Sequence, residues 1–214
     1  CAQSIVENTK APIVFHILHD DTLNEINKNK LSLIADNGVN GIEFHHCNPE
    51  IFGEIADSMN RFTIGAMFRI MLPDFLPKLK KIIYLDSDLF VNTDIEELWN
   101  INIDDYCLAA VPDCLVIRNF GNPHAVAAGQ TSRDRYFNSG VLCMNLDNIR
   151  KNGSLFQQVK DYLHTNSQAD LPDQDALNAI FSGKTLLIDE KWNYFVNEAR
   201  KHNEKAEKKI YHYA

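Results

Sequence analysis

With 214 residues, 45% of them apolar and 23% charged, the chain has the composition of a globular protein and the length to bury roughly 70% of its unfolded surface around a sizeable core. No stretch approaches the about 18 apolar residues that a membrane-crossing helix needs. A formal charge of −8 argues against nonspecific nucleic-acid binding, which requires a basic surface.

In chain order, Ser4 to Asn8 read as the last turns of a helix and Pro12 to Leu18 as a strand. From Asp21 a polar helix is predicted to carry Leu23, Ile26, Lys30, Leu33 and Ile34 on one stripe and to stop near Asn37-Gly38. Gly41 to His46 make a second strand. Between Arg61 and Leu72 a largely apolar helix is predicted to end at Pro73. Its one charge after the first position, Arg69, either snorkels to the surface or serves a site.

Ile82 to Leu85 are apolar without alternation, as in a strand of a parallel sheet buried on both faces, and the run ends abruptly in Asp86 and Asp88. Side chains at i and i+2 of extended backbone share a face. Two carboxylates rooted about 6 to 7 Å apart repel by about 2 to 3 kcal/mol at an effective dielectric near 20, which a divalent cation relieves. In open α/β sheets ligands gather at the carboxyl ends of strands, where this pair stands. As a bare pattern the pair reads more readily as two solvated loop acids, and it is the adjoining strand that shifts the balance toward a site.

Thr93 and Glu96 then form a capping-box pattern ahead of Ile95, Leu98 and Trp99. Leu108 to Val111 read as a strand ending at Pro112-Asp113, followed by a long polar loop from Leu115 to Arg135 that carries Arg118, Arg133 and Arg135. Loops of this length in a compact domain are usually functional or mobile, and this one reads equally as a segment that closes over a ligand and helps receive an anionic partner or as a solvated loop. Tyr136 to Leu146 form a strand interrupted by Asn138-Ser139-Gly140, where glycine admits close approach of a ligand or backbone. Ser154 with Gln157 caps a packing helix, and Pro172 opens another whose first turn, Asp173-Gln174-Asp175, suits the helix dipole. Thr185 to Ile188 read as a strand and Trp192-Asn193-Tyr194 as a turn, and Lys201 to Lys209 as a charged helix or loop. The five cysteines are odd in number, with no C-x-x-C pair, and point to a reduced cytosol. Alternating strands and helices without repeats or linkers predict one α/β domain with a largely parallel central sheet flanked by helices.

Several chemistries fail on spacing. There is neither a G-x-x-x-x-G-K-[ST] loop nor a G-x-G-x-x-G turn to cradle phosphate. An EF-hand through Asp86, Asp88 and Glu97 would place Phe90 and Val91 where an oxygen ligand and a glycine are needed. A haloacid-dehalogenase phosphatase shares the D-x-D after a strand but expects Thr or Val at Phe90.

The run IIYLDSDLFV, then DIEELW, YFNSGVLCMNL, PDQDALN and the terminal HY together resemble glycosyltransferase family 8, over nearly the whole chain from Pro12 to Tyr213. That family comprises retaining, metal-dependent sugar transferases, among them bacterial lipopolysaccharide galactosyl- and glucosyltransferases and glycogenin. The resemblance implies a GT-A type fold, with residues 1–214 forming a single catalytic domain. It implies Asp86, Asp88 and His212 as metal ligands, and such a mixed carboxylate and imidazole set favours Mn²⁺, with Mg²⁺ as the alternative ion. Arg69 and Asp86 match donor-binding positions, while Asp113, Asn138, Ser139, Asp173 and Gln174 match residues around the donor sugar. Gln174, Asp173 and Asn138 are the implied catalytic group.

The expected donor is UDP-glucose or UDP-galactose and the acceptor a saccharide or lipid-linked saccharide. The implied place is the cytoplasm, including the inner face of the membrane through peripheral association by segments not in this sequence. By the same resemblance, the family's first strand would precede Cys1 and the G-x-x-K-P-W ending would follow Tyr213. A phosphatase and a non-catalytic nucleotide-sugar-binding module stand as the rival readings.

Overall fold

A computed structural model describes residues 1–36, 38–53, 64–118, 135–167, 169, 171–196 and 207–213. The strands are β1 (Val14–His19), β2 (Gly41–His46), β3 (Lys81–Leu85), β4 (Leu89–Val91), β5 (Leu108–Pro112), β6 (Phe137–Asn145), β7 (Thr185–Leu187), β8 (Tyr194–Phe195) and β9 (Ile210–His212). The α-helices are α1 (Ala2–Asn8), α2 (Glu25–Ala35), α3 (Leu72–Phe75), α4 (Glu96–Trp99), α5 (Cys114–Arg118), α6 (Leu146–Lys151), α7 (Leu155–Thr165) and α8 (Pro172–Ile180).

Strand β6 lies inside a four-stranded sheet ordered β3-β6-β5-β7. Alternation along it separates two cores. Leu142 and Met144 join Leu108 and Ala110 in one cluster with Met67, Ile70, Val159 and Leu177. Val141 and Cys143 join Ala109 and Val111 in the other, with Leu89, Leu98, Trp192 and Ile210. Side chains two apart share a face, so one strand feeds both layers.

The α/β class is as expected, but the sheet is mixed and not largely parallel. Strand β6 runs antiparallel to both β3 and β5, and only β7 lies parallel to β5 in this sheet. The sequence misleads here because a strand covered on both faces is continuously apolar whichever way its neighbours run. A parallel β1–β2 ribbon and a three-stranded sheet ordered β4-β9-β8 complete the described strands.

Three local expectations also change. Helix α2 begins at Glu25 behind an Asn24 cap, and Ile26 and Leu33 are exposed, so the predicted apolar stripe is not its buried face. Pro73 does not end a helix: Ile64–Met71 forms a 3₁₀ helix and Pro73 sits in the first turn of α3, where its missing N–H costs nothing. Residues 61–63 of that predicted helix lie outside the described residues. The Thr93–Glu96 capping box does not form either; Asp94 Oδ1 accepts the Glu96 N–H and Thr9 Oγ1 accepts the Ile95 N–H. Ser154 does cap α7 by accepting the Gln157 N–H at 3.3 Å.

Candidate active site

The site forms where β3 runs out. The Asp86 N–H donates to the Gly140 carbonyl at 2.9 Å, extending the β3–β6 ladder by one rung and fixing the first aspartate beside β6. Asp88 lies in the turn into β4, and β4 pairs antiparallel with β9 so that Leu89 faces His212. The Tyr213 N–H closes onto the Asp88 carbonyl at 3.1 Å. Main-chain pairing thus carries His212 to the D-x-D turn, leaving His212 Nε2 3.5 Å from Asp88 Oδ1. Donor atoms of Asp86, Asp88 and His212 all lie within 4.8 Å of one another.

The imidazole is aimed by Asn193. Its Oδ1 accepts from His212 Nδ1 at 2.8 Å while its Nδ2 donates to Asn138 Oδ1 at 2.7 Å. A carbonyl acceptor requires the proton on Nδ1, which leaves the Nε2 lone pair facing the aspartates. Phe195 stacks on the ring at 5.3 Å. Burial lowers the His212 pKa, with Asp88 and Asp86 opposing, so the ring is held in its neutral, ligating form.

Two observations fit a divalent cation here. The donor set of two carboxylates and a neutral imidazole is one that manganese accepts. Burial also pushes the Asp86 carboxyl above its ordinary range, with Arg69 and Tyr84 offsetting this only in part. The anion is therefore only partly compensated by Arg69. Gly140 keeps the space open: a Cβ there would stand 2.5 Å from His212 Cε1 and 3.0 Å from Asp86 Oδ2.

Arg69 does not snorkel. It is 5% exposed, and its NH2 donates to Asp86 Oδ1 at 2.9 Å. NH1 reaches the Ser139 carbonyl at 2.7 Å and Ser139 Oγ at 2.9 Å, and Nε lies 3.4 Å from Asp173 Oδ2. Its guanidinium packs over the Tyr84 ring at 4.7 Å. Burial disfavours its charge, but Tyr84, Asp173, Asp86 and Asp88 outweigh that and raise its pKa. The guanidinium is a fixed cation that ties the D-x-D turn to β6 and α8.

Gln174 is a hub. Its Oε1 accepts from Asn138 Nδ2 and the Ser139 N–H, each at 3.0 Å, and its Nε2 donates to Asp113 Oδ2 at 3.0 Å and Tyr136 Oη at 3.2 Å. Asp113 Oδ1 meanwhile accepts the N–H groups of Leu115 and Val116, each at 3.0 Å, at the start of α5. The acids flanking Gln174 divide the work. Asp175 accepts from Tyr136 Oη at 2.5 Å and from the Leu171 N–H at 3.3 Å, a capping contact, whereas Asp173 accepts from Ser139 Oγ at 3.1 Å on the side of Arg69.

All nine residues singled out from the sequence, Arg69, Asp86, Asp88, Asp113, Asn138, Ser139, Asp173, Gln174 and His212, are thus joined in one network. Sequence reasoning missed Asn193, Tyr84 and Tyr136 as members. Asn193 between Trp192 and Tyr194 reads in the sequence as an ordinary turn residue, and only the fold, which leaves it 2% exposed, shows whom it faces. Of the arginine-bearing segment, the start is helix α5 and Arg135 is exposed. Residues 119–134, with Arg133 and the proposed closing loop, lie outside the described residues, as does the Arg118 side chain.

If Asn193 sets the tautomer, Asn193→Ala should weaken Mn²⁺ binding by about 10- to 100-fold, the usual cost of losing a partner behind a metal ligand. It should also destabilise the fold by about 1 to 3 kcal/mol through the unpaired His212 and Asn138 atoms. Asn193→Asp keeps the acceptor and should recover part of the affinity. Manganese titration followed by electron paramagnetic resonance reads both variants, and equal affinity in all three proteins would refute the role.

An α/β fold with a D-x-D turn, a histidine beside it and a buried polar network at the strand ends fits a glycosyltransferase-type architecture. The sequence model of Glycosyl transferase family 8 matches residues 1–214, and the chain belongs to that family. A Haemophilus influenzae relative is 30% identical over 193 residues, covering 89% of this chain and 57% of the relative. General stress protein A of Bacillus subtilis is 30% identical over 157 residues, 71% of this chain and 52% of that protein. The chain therefore spans little more than half the length of these relatives. Among solved structures, the galactosyltransferase LgtC in complex with donor and acceptor sugar analogues superposes with a TM-score of 0.80 over 95% of this chain and 87% of its own, at 23% identity. That likeness establishes the GT-A type fold.

Proposed function

We propose that the chain transfers glucose or galactose from a UDP-sugar to a saccharide or lipid-linked saccharide with retention of configuration, using Mn²⁺, with Mg²⁺ as the alternative ion. The observation that carries this reading is the convergence of Asp86, Asp88 and His212 beside a buried network that ends in Gln174 and Asp173. A cation held by those three residues would act as a Lewis acid on the diphosphate leaving group. Family membership and the LgtC complex with sugar analogues support a sugar-nucleotide donor.

The chain's own residues would then position and stabilise. Arg69 holds Asp86 and Asp173 at fixed separation, so the ligand and the sugar-facing carboxylate move as one body. Asp173 and the Gln174 amide place negative charge and a dipole where positive charge develops on the anomeric carbon. The Gln174 oxygen already accepts two N–H bonds, which reduces its capacity as a nucleophile. This favours front-face attack by the acceptor over a covalent intermediate. A phosphatase reading is weakened by the match to Glycosyl transferase family 8 over residues 1–214. We place the meeting with a lipid-linked acceptor at the cytoplasmic face of the membrane, by peripheral association through segments outside this sequence; among the described residues no helix is long and apolar enough to cross a membrane.

Incubation with UDP-glucose or UDP-galactose and Mn²⁺ should release UDP, and a chelator should abolish the release. Turnover of phosphomonoesters alone would sink the proposal, and tight donor binding without turnover would favour a non-catalytic binding module. Gln174→Ala should lower kcat by about 10²- to 10³-fold while UDP affinity stays near wild type. Because Gln174 is 4% exposed and fully bonded, its removal should also cost about 1 to 3 kcal/mol of stability. Rates must therefore be read on folded protein; a rate within a few-fold of wild type would assign Gln174 to scaffolding alone.

A further inference from the structure

The β1–β2 ribbon carries histidines that the site above does not use. In its parallel register His16 lies opposite Glu43 and Leu18 opposite His45, so the two-residue period puts His16, Glu43 and His45 on one face. His16 Nδ1 stands 3.0 Å from His45 Nε2 and 3.3 Å from Glu43 Oε2. The latter two atoms are themselves 3.7 Å apart. Three lone-pair-bearing atoms therefore converge on one point.

Protons satisfy such a triangle poorly. A single N–H on His16 can be shared between the other two atoms, but His45 Nε2 and Glu43 Oε2 then face each other lone pair to lone pair. A proton on His45 instead leaves the same conflict between His16 and Glu43. A cation at the centre satisfies all three. Tetrahedral coordination with bonds of about 2.0 to 2.1 Å sets ligand atoms about 3.3 Å apart, and the observed separations of 3.0, 3.3 and 3.7 Å bracket that value.

We propose that His16, Glu43 and His45 form a second metal site, selective for Zn²⁺ and chemically unlike the site at the D-x-D turn. Two imidazoles and one carboxylate are a zinc donor set, whereas magnesium and calcium prefer oxygen alone. The two histidine side chains are 17% and 18% exposed, while Glu43 is 59% exposed, so water reaches the fourth position from the Glu43 side. The Phe75 ring lies 6.5 Å from that of His45, tilted by 37°. A bound ion would staple strands β1 and β2 across positions 29 apart in sequence and, binding only the folded chain, would stabilise it by mass action.

Calorimetric titration with Zn²⁺ of an Asp88→Asn protein, whose D-x-D site is disabled, tests this. One equivalent should bind at micromolar affinity or better, raise the melting temperature, and on substitution by Co²⁺ give the intense visible absorption of a tetrahedral site. Adding His45→Gln should weaken that binding by about 100-fold or more, the upper end of what losing even an outer partner of a ligand costs. Should His45→Gln fail to fold, the exposed Glu43→Gln variant gives the same reading. Binding weaker than micromolar in the Asp88→Asn protein, or identical zinc isotherms with and without the added substitution, would overturn the proposal.

Discussion

Replacing Asp88 with asparagine is expected to lower Mn²⁺-dependent transfer by about 10³-fold, equivalent to about 4 kcal/mol of transition-state stabilisation. The fold should scarcely notice. The Asp88 side chain is 50% exposed, and its backbone bond to Tyr213 does not depend on the carboxylate. Asp86 is the poorer test, since it also accepts from Arg69 and Tyr84 and its loss would leave a buried guanidinium short of a partner. Initial rates of UDP release across a manganese titration, paired with thermal melts, separate the two effects. Activity within a few-fold of wild type at saturating Mn²⁺ would remove Asp88 from the metal site.

Gly140→Ala should be comparably severe for a different reason. The new Cβ would lie 2.5 Å from His212 Cε1, and 3.0 Å from both Asn138 Oδ1 and Asp86 Oδ2. None of these can retreat freely: His212 is held by Asn193 and Phe195, Asn138 by Gln174 and Asp113, and Asp86 by Arg69. The clash is expected to cost about 1 to 3 kcal/mol of stability, as overpacking does. Since it would also spread the proposed metal ligands, activity should fall by at least about 10²-fold, the penalty for misplacing reacting groups by about 1 Å. Gly140→Ser should be worse than alanine. Manganese affinity and rate measured on folded protein decide the matter: an alanine variant with wild-type affinity would mean that the space above Gly140 is not where the ion sits.

Much of the site was legible in the sequence because its members fall in short, chemically odd runs. Two aspartates close an apolar strand, a lone arginine sits on an apolar helix, and a neutral glutamine stands between two acids at a helix start. Each is a local conflict between packing preference and residue type. Asn193 and Tyr136 produced no such conflict, since an asparagine in a turn and a tyrosine at a strand start are ordinary. Only their partners make them part of the site.

What the sequence by itself determined was the alternation that sends Leu142 and Met144 to one layer and Val141 and Cys143 to the other, and the abrupt end of β3 in carboxylates. These depend on periods of a few residues. Tertiary structure alone decided strand direction, because apolar burial on both faces is the same for parallel and antiparallel neighbours. It alone decided that His212 meets Asp88, through the β4–β9 ladder, and that His16 meets His45 across β1 and β2. Pairing between distant strands is fixed by the summed packing of the sheet, and no short stretch of residues encodes it.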